Sequence, residues 1–537
     1  MNSVQQIVLS GIKVDFRADE QEIFKHAAVK LRQAGCDPAG LNFRLYRRSI
    51  DARRRGEIYY VCSVLVRGET GKLPSGDKLR RIGGKPLEST ELSIKLGQEK
   101  LSGRPLVVGS GPAGMFCGLL LAQNGYAPIV IERGEPVAER TAAVENFYNT
   151  HILNTESNIQ FGAGGAGTFS DGKLVTRISD PRCGYVLRKL CEFGAPESIL
   201  TQAKPHVGTD ILKDVVNNVL AEIKKLGGDV IYNCRLDGFA ETSDGINATT
   251  SRGDIGCGVM VLALGHSARD TGRMLASKNI EILPKPFSVG VRIEHLQSEI
   301  DEALYGNFAG DPRLGPAEYS LSDTTGDRGV YTFCMCPGGE VVAAASEQGG
   351  LVVNGMSNHA RDGKNANSAI AVSIRPYDYG NTVEGAVDFQ RRIERAAFVA
   401  GGSSYCAPVQ TVGDFLNDKL SSSPARIIPT YMNGQVKPAK MDGVLPEFVC
   451  DNLRRGIVSF GRKIHGFDAL DAVLTGAETR TSSPTCMPRG EMLTATGHDK
   501  IYPCGEGAGY AGGITSAAVD GIRVAQAIME RYAPLEE

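Results

Sequence analysis

The hexapeptide Gly109-Ser-Gly111-Pro-Ala-Gly114 stands between an apolar strand, Leu106-Val107-Val108, and a helix with Met115, Phe116, Leu119 and Leu120 at its apolar positions. A second strand, Pro128-Ile-Val-Ile-Glu132, follows and ends on a carboxylate, so the segment opens a βαβ unit. The first glycine permits a sharp turn, the second lets a pyrophosphate approach the backbone, and the third lets helix and strand pack closely. The helix N-terminus, entered through Pro112 and Ala113, offers free N–H groups and the positive end of its dipole to phosphates. Glu132 is placed to accept ribose hydroxyls. The pattern predicts dinucleotide binding. NAD and FAD share it, so the choice between them has to come from elsewhere in the chain.

A chain of 537 residues allows roughly three or four units of about 150 residues each. Hydrophobic residues at 42% and charged residues at 22% are the proportions of a folded globular chain, not of a disordered one. The 59 Lys and Arg nearly balance the 61 Asp and Glu, and a net charge of −2 argues against nucleic acid as a partner. Glycine is in excess: 65 residues without a Gly-X-Y period require many tight turns or close backbone approaches. The stretch Met1 to Ser10 has neither the basic region nor the long apolar core of a secretory signal and reads as mature protein. Apolar runs such as Met115 to Ala122 and Val259 to Leu264 are far shorter than the roughly 20 residues a bilayer requires. Thirteen cysteines without paired spacing suit a reducing compartment, so the expected setting is the cytoplasm, away from membranes.

Four segments are expected. Residues 1–103 read as a small α+β unit with a strand at Gln6 to Leu9, a helix at Glu20 to Ala34, strands at Leu41 to Leu45 and Ile58 to Val66, and a helix at Glu91 to Leu101. The basic run Arg47, Arg48, Arg53, Arg54, Arg55 reads as a solvated hairpin or a docking patch. Residues 104–282 hold the βαβ start, a helix capped by Thr209 and running to Leu226, and strands near Val230 to Ala240, Ile246 to Thr250 and Cys257 to Leu264. Residues 283–479 mix strand-like and helical stretches without a second dinucleotide fingerprint. Residues 480–537 return through the strand Ile501 to Cys504 to a last helix, Thr515 to Glu530.

The C-terminal segment points to the cofactor. In Tyr502-Pro-Cys-Gly505-Glu506-Gly507-Ala-Gly509-Tyr-Ala-Gly512-Gly513-Ile514 an apolar strand ends in glycines with one carboxylate, and the chain enters a helix through Gly512 and Gly513. Here the sequence resembles the large two-dinucleotide-binding-domain flavoprotein class. In that class such an acid holds the ribityl chain of FAD, a role the resemblance gives to Glu506, and the following helix N-terminus faces the flavin ring. A helix N-terminus at the N1–C2=O edge stabilises the anionic reduced flavin. A third stretch, Asn158 to Lys173, contains Gly162-Ala-Gly164-Gly165-Ala166-Gly167-Thr168 but has no apolar strand before it and no amphipathic helix after it. It suits a loop laid against a flat ligand, not a second Rossmann turn. With Val261 to Asp270, Lys285 to His295, Phe333 to Gly339, Asn354 to Ser357, Asn365 to Ser368 and Thr475 to Pro484, it is similar to a narrower family over nearly the whole chain. That family is the bacterial FAD-dependent dehydrogenases with an extra N-terminal α/β domain; it usually carries Ala where Cys504 stands.

The resemblance implies an α/β fold: a Rossmann-like, glutathione-reductase-type FAD-binding domain split between 104–282 and 480–537, an inserted α+β substrate domain at 283–479, and the N-terminal α+β domain at 1–103. It implies FAD held by Gly109, Gly111, Pro112, Ala113, Gly114, Glu132, Arg133 and Arg140. Gly164, Gly165, Ala166, Gly167, Thr168, Asp171 and Lys173 of the glycine-rich loop join them, as do Gly265 and His266, and Gly505, Glu506, Gly512, Gly513 and Ile514. No metal is expected. The implied activity is that of a dehydrogenase or reductase moving a hydride between flavin N5 and an unidentified small organic substrate. With no second nucleotide-binding βαβ unit, NAD(P)H or a protein electron donor would dock transiently. Two alternatives stand beside it: a reduced-flavin enzyme without net redox change, catalysing addition or isomerisation, and a flavoprotein acting in RNA modification.

Residue types supply the catalytic candidates. Lys173, beside the glycine-rich loop, is placed to stabilise negative charge on reduced flavin. In Gly290-Val-Arg292-Ile-Glu294-His295, strand alternation puts Arg292 and Glu294 on one face and His295 on the other, so His295 is an acid/base candidate only on its own side. Glu478 and Arg480, two apart in an extended segment, would share a face and grip a polar substrate, or else form an internal ion pair. Cys334-Met-Cys336 is a poor redox pair, because a CxC disulfide closes a small strained ring. The scattered histidines carry no HExxH or triad motif, and a chain with 0 Trp cannot match the W-x-W-x-I-P signature of flavin-dependent halogenases.

Overall fold

A computed structural model describes residues 4–54, 56–88, 90–420 and 424–535, and the fold is mixed α/β. In the N-terminal unit the strand Val4–Asp15 lies between Glu57–Glu69 and Gly84–Pro86, with Asn42–Arg54 at the edge of the four-stranded sheet. Ile23, Ala27 and Leu31, one turn apart, form the buried stripe by which helix Glu20–Gln33 packs on that sheet. Asp19 caps its first turn, Oδ1 accepting from the Glu22 N–H at 2.8 Å.

One expectation holds and one changes here. Arg47 and Arg48 lie exposed in the hairpin that Asn42–Arg54 forms with Glu57–Glu69, and this edge strand is also stitched to residues 201–203. The Arg48 N–H donates to Thr201 O at 2.7 Å, the Ala203 N–H donates to Arg48 O at 2.9 Å, and Arg47 Nη2 donates to Ala203 O at 3.0 Å. Arg53 pairs with Asp51 at 2.7 Å, and Arg55 lies outside the described residues. The helix expected at Glu91 to Leu101 is instead an extended connection. Its donors are spent on carbonyls at the end of the last helix: Gly97 N–H to Met529 O at 2.7 Å and Glu99 N–H to Arg531 O at 3.2 Å. A Cβ on Gly97 would stand 2.1 Å from Arg531 O, so this approach needs glycine.

Strands Ile501–Pro503, Met260–Leu262, Leu106–Val108, Ile129–Ile131 and Asp229–Ile231 form, in that order, a five-stranded parallel sheet. Short, apolar, buried runs are what a parallel sheet covered on both faces requires. Helix Pro112–Gln123 is buried from Ala113 to Ala122 and packs against the last helix, Ile514–Arg531. The backbones nearly touch: a Cβ on Gly114 would lie 1.9 Å from Gly109 O, and one on Gly521 would lie 2.1 Å from Ala113 O. Helix Thr209–Lys225 buries Leu212, Val215, Val216, Val219, Leu220 and Ile223, but its cap is Gly208 at φ 89°, while Thr209 Oγ1 donates to Thr168 O at 2.7 Å. Strands Leu236–Glu241, Ile246–Thr250 and Gly253–Cys257 make a separate antiparallel sheet.

The central region folds around a seven-stranded sheet whose middle strand, Phe287–Leu296, pairs antiparallel with Asn365–Ile374 on one side and Val473–Glu478 on the other. Val330–Cys336 pairs beyond Asn365–Ile374, with a bulge between Phe333 and Cys336. Bulges bend a strand and re-aim its side chains, and here Cys334 takes the left-handed φ of 43° while Phe333 and Cys334 become exposed. Among the described residues no helix is long and apolar enough to cross a membrane.

Gly114→Ala tests the close approach of turn and helix. Alanine normally favours a helix interior over glycine by about 1 kcal/mol, but here the added methyl overlaps a carbonyl, and such overpacking costs about 1–3 kcal/mol. The variant is expected to melt below wild type in thermal denaturation; an equal or higher Tm would contradict the packing.

Candidate cofactor site

One cavity runs along the C-terminal ends of the parallel strands and opens against the seven-stranded sheet. The glycine turn contributes Gly109, Gly111, Pro112 and Ala113; the neighbouring strand ends contribute Glu132, Arg133, Gly265, His266 and Glu506. The glycine-rich loop contributes Gly165, Ala166, Gly167, Asp171 and Lys173, and the last helix enters with Gly512, Gly513 and Ile514. The far wall consists of Phe333, Cys334, Cys336, Asn354, Gly355, Arg480 and Thr481.

Glu132 fastens the turn to the loop. Oε2 accepts from Ser110 N–H at 2.9 Å and Ser110 Oγ at 2.8 Å, and Oε1 accepts from the N–H groups of Gly134 and Gly162, both at 3.0 Å. Four donors already occupy a carboxylate that the sequence assigns to ribose hydroxyls. Arg140 departs from expectation too. It is fully buried behind the loop, away from the cavity, and donates to the carbonyls of Asn158, Ile159 and Ala163 at 2.7–2.9 Å. A Cβ on Gly162 would overlap Arg140 Cδ at 2.3 Å. Gly164 and Thr168 also sit outside the lining, Thr168 Oγ1 closing back on Ala163 O at 3.0 Å, and Gly505 lies behind Ala113.

Other glycines answer to nothing in the protein. A Cβ on Gly512 or Gly513 would meet no atom within 4 Å, and one on Gly111 would meet only Gly165 Cα at 3.9 Å. None of these three has a left-handed φ, so neither backbone strain nor packing excludes a side chain there. What a side chain would occupy is the cavity. Two polar groups also await a partner. Gln160 Nε2 is buried and unpaired, and among the described residues no protein donor reaches the Glu506 carboxyl, whose pKa burial pushes up to about 7 against the pull of Lys285. An uncharged His266 completes this wall: burial, with Arg480 and Arg269 adding to it, pushes its pKa down to about 3.

The catalytic candidates separate. Lys173 and Arg480 line the cavity; His295 and Glu478 do not. His295 is buried against the Phe467 ring, with Nε2 2.8 Å from Phe467 O, which removes it as an acid/base group. Glu478 accepts from Arg292 at 2.5 and 3.2 Å, while Arg480 turns to Glu394 at 3.1 Å, so the two do not grip a substrate as a pair. Arg133 is held between Glu156 and Asp270, and Asp171 by Arg361 at 2.9 Å. Sequence reading gave no role to Arg269 and Asn354, which lie in stretches that carry the resemblance, and passed over Glu394, Glu318 and Arg361; their partners lie far away along the chain and leave no local pattern. Among the described residues no group of three His, Cys, Asp or Glu is placed to hold a metal ion.

Residues 286–481 match the family described as FAD-dependent protein, C-terminal domain-like, and residues 1–67 match a domain of unknown function, DUF8436. A Clostridium beijerinckii protein, described as uncharacterized, is 46% identical over 98% of this chain and 99% of its own length. The chain belongs to that protein's family. Its cofactor is FAD. Among solved structures, the glycine oxidase of Geobacillus kaustophilus is similar at 10% identity over 81% of this chain and 96% of its own, with a TM-score of 0.34. CtdE in complex with FAD is similar at 12% identity over 78% of this chain and 82% of its own, with a TM-score of 0.32.

The ion pairs beside the cavity set an acid limit. Burial alone would raise Glu347, but hydrogen bonds and charge from Arg391 and Arg269 outweigh it and hold the carboxyl at about 2, below its ordinary value of 4.5. A depressed folded pKa contributes stability that is complete above about 4.5 and lost as pH falls towards 2. Wild type is therefore expected to lose more Tm across that window than Glu347→Gln; parallel pH profiles would contradict the assignment.

Proposed function

We propose that the protein is an FAD-dependent oxidoreductase acting on a small organic substrate seated between the flavin and the seven-stranded sheet. The supporting observation is the set of unobstructed glycines, Gly111, Gly512 and Gly513, lining a cavity whose opposite wall carries Phe333, Asn354 and Arg480. Residues 104–282 and 480–537 would form the FAD-binding domain and residues 283–479 the substrate domain.

Bound FAD supplies a hydride acceptor or donor at N5. The turn at Gly109 to Gly114, with the free N–H groups of helix Pro112–Gln123, would hold the pyrophosphate. Glu506 and Gln160 offer polar contacts for the ribityl and ribose hydroxyls. The N-terminus of helix Ile514–Arg531, reached through two glycines, presents unpaired N–H groups and a positive dipole where negative charge would develop on reduction. Lys173 adds a cation on the loop that covers this end. An electron partner, NAD(P)H or a protein, would dock transiently. All thirteen cysteines stand as free thiols, which suits a cytoplasmic setting.

Gly111→Leu separates cofactor binding from folding. Its Cβ meets open space, so the variant is expected to purify folded, with the far-UV circular dichroism of wild type, but without the flavin absorbance wild type shows. Retention of stoichiometric flavin would contradict the pyrophosphate turn. The redox reading itself is tested anaerobically: a panel of small organic substrates and NAD(P)H should include a compound that bleaches the bound flavin.

A further inference from the structure

We infer that the substrate is a carboxylate, bound between Lys173, Arg480 and the side-chain amide of Asn354. This rests on the oxidoreductase reading above and adds the chemical class of its substrate.

Negative charge is short at the end of the cavity formed by the seven-stranded sheet. Lys173 donates to Met335 O, within the Phe333–Cys336 bulge, and stands 3.6 Å from Glu318. Glu318 is shared: Lys204 lies 2.9 Å from it and Arg361 3.7 Å, while Asp171 is the main partner of Arg361. Asp171 and Glu318 thus serve Lys173, Lys204 and Arg361, two carboxylates for three cations, and Lys173 is the cation that lines the cavity. His206, in the same neighbourhood, adds no anion.

On the Arg480 side a carboxylate is likewise shared. Glu394, buried, accepts from Arg480 Nε and Nη2 at 3.2 and 3.1 Å, and also from Arg269 Nη1 and Nη2 at 2.9 and 2.8 Å. One buried carboxylate therefore serves two buried guanidiniums. Glu347, which also touches Arg269, is held by Arg391 on the outer side, where Arg391 also meets the exposed Asp388. Arg480, not Arg269, bears on the cavity.

Asn354 supplies a neutral donor. Its Oδ1 accepts from Arg292 Nη2 at 2.9 Å and from Gly355 N–H at 2.8 Å, which fixes the amide and leaves Nδ2 without a partner among the described residues. Arg292 is thus a positioning residue: it also holds Cys334 O at 2.8 Å and is itself neutralised by Glu478. A neutral substrate would leave Lys173 and Arg480 facing a partly desolvated space with only shared carboxylates, Glu318 and Glu394, as counter-charge. A carboxylate accepts charge-assisted hydrogen bonds from both and from the amide. Phe333, 40% exposed, offers an apolar wall for the rest of the molecule.

The test uses the FAD-loaded, oxidised full-length protein at neutral pH. Acetate, succinate and benzoate are titrated against the flavin absorbance spectrum, each paired with its uncharged amide. At least one carboxylate is expected to give a saturable spectral change in the millimolar range or below, its amide none. Lys173→Met should raise that Kd about tenfold or more, the equivalent of ~1.4 kcal/mol, and Lys173→Arg should restore it in large part. No saturable change with any carboxylate, equal binding of the amides, or an unchanged Kd in Lys173→Met would each overturn the proposal. Protein that takes up no FAD would instead fail the reading beneath it.

Discussion

The site depends on backbone meeting backbone. Where Gly109 turns towards helix Pro112–Gln123, the Gly109 carbonyl lies where a Cβ on Gly114 would go, and the Ala113 carbonyl lies where one on Gly521 would go. This interlocks the first strand of the parallel sheet, the helix after it and the last helix of the chain, bringing Gly111 and Gly513 to one cavity from segments some four hundred positions apart. Glu132 then ties the turn to the glycine-rich loop with four hydrogen bonds from three residues' N–H groups and one hydroxyl. A buried carboxylate so satisfied is cheap to keep and costly to disturb.

Across the cavity the structure relies on charge. Arg269, on the helix Arg269–Ser277, reaches Glu394 on the helix Val383–Ala400, which also carries Arg480 from the strand end. Buried pairs of this kind add little net stability, yet they fix geometry, because removing one partner leaves an uncompensated charge. The same groups that join the sheet-bearing region to the parallel-sheet region thereby set the electrostatics of the cavity wall. Burial, with Arg480 and Arg269 adding to it, keeps His266 uncharged, and Arg480 faces the cavity.

Much of this was legible in sequence where the signal is local. The Gly109 to Gly114 turn, the strand pair around it and the glycines before Ile514 are each encoded within a few residues, by apolar runs and by glycines whose spacing has a steric reason. The helix expected at Glu91 to Leu101 failed because its backbone donors serve a helix end far along the chain. Arg140 and Thr168 carry residue types suited to a ligand but point into the loop's own interior. His295 shows the same limit: a histidine on a buried strand cannot be told from a catalytic one until Phe467 is seen beside it. The ion-pair partners of Arg480 and Lys173 come from Glu394 and Glu318, and no periodicity connects them.

One cavity, lined by segments some four hundred positions apart, is expected to bind one FAD. With 0 Trp, protein fluorescence comes from 17 Tyr alone and leaves flavin emission uncluttered. Titrating FAD into flavin-stripped protein while following flavin fluorescence measures the claim directly. The account predicts a saturable change ending at one FAD per chain; emission that rises as for free FAD, with no saturation, would contradict it.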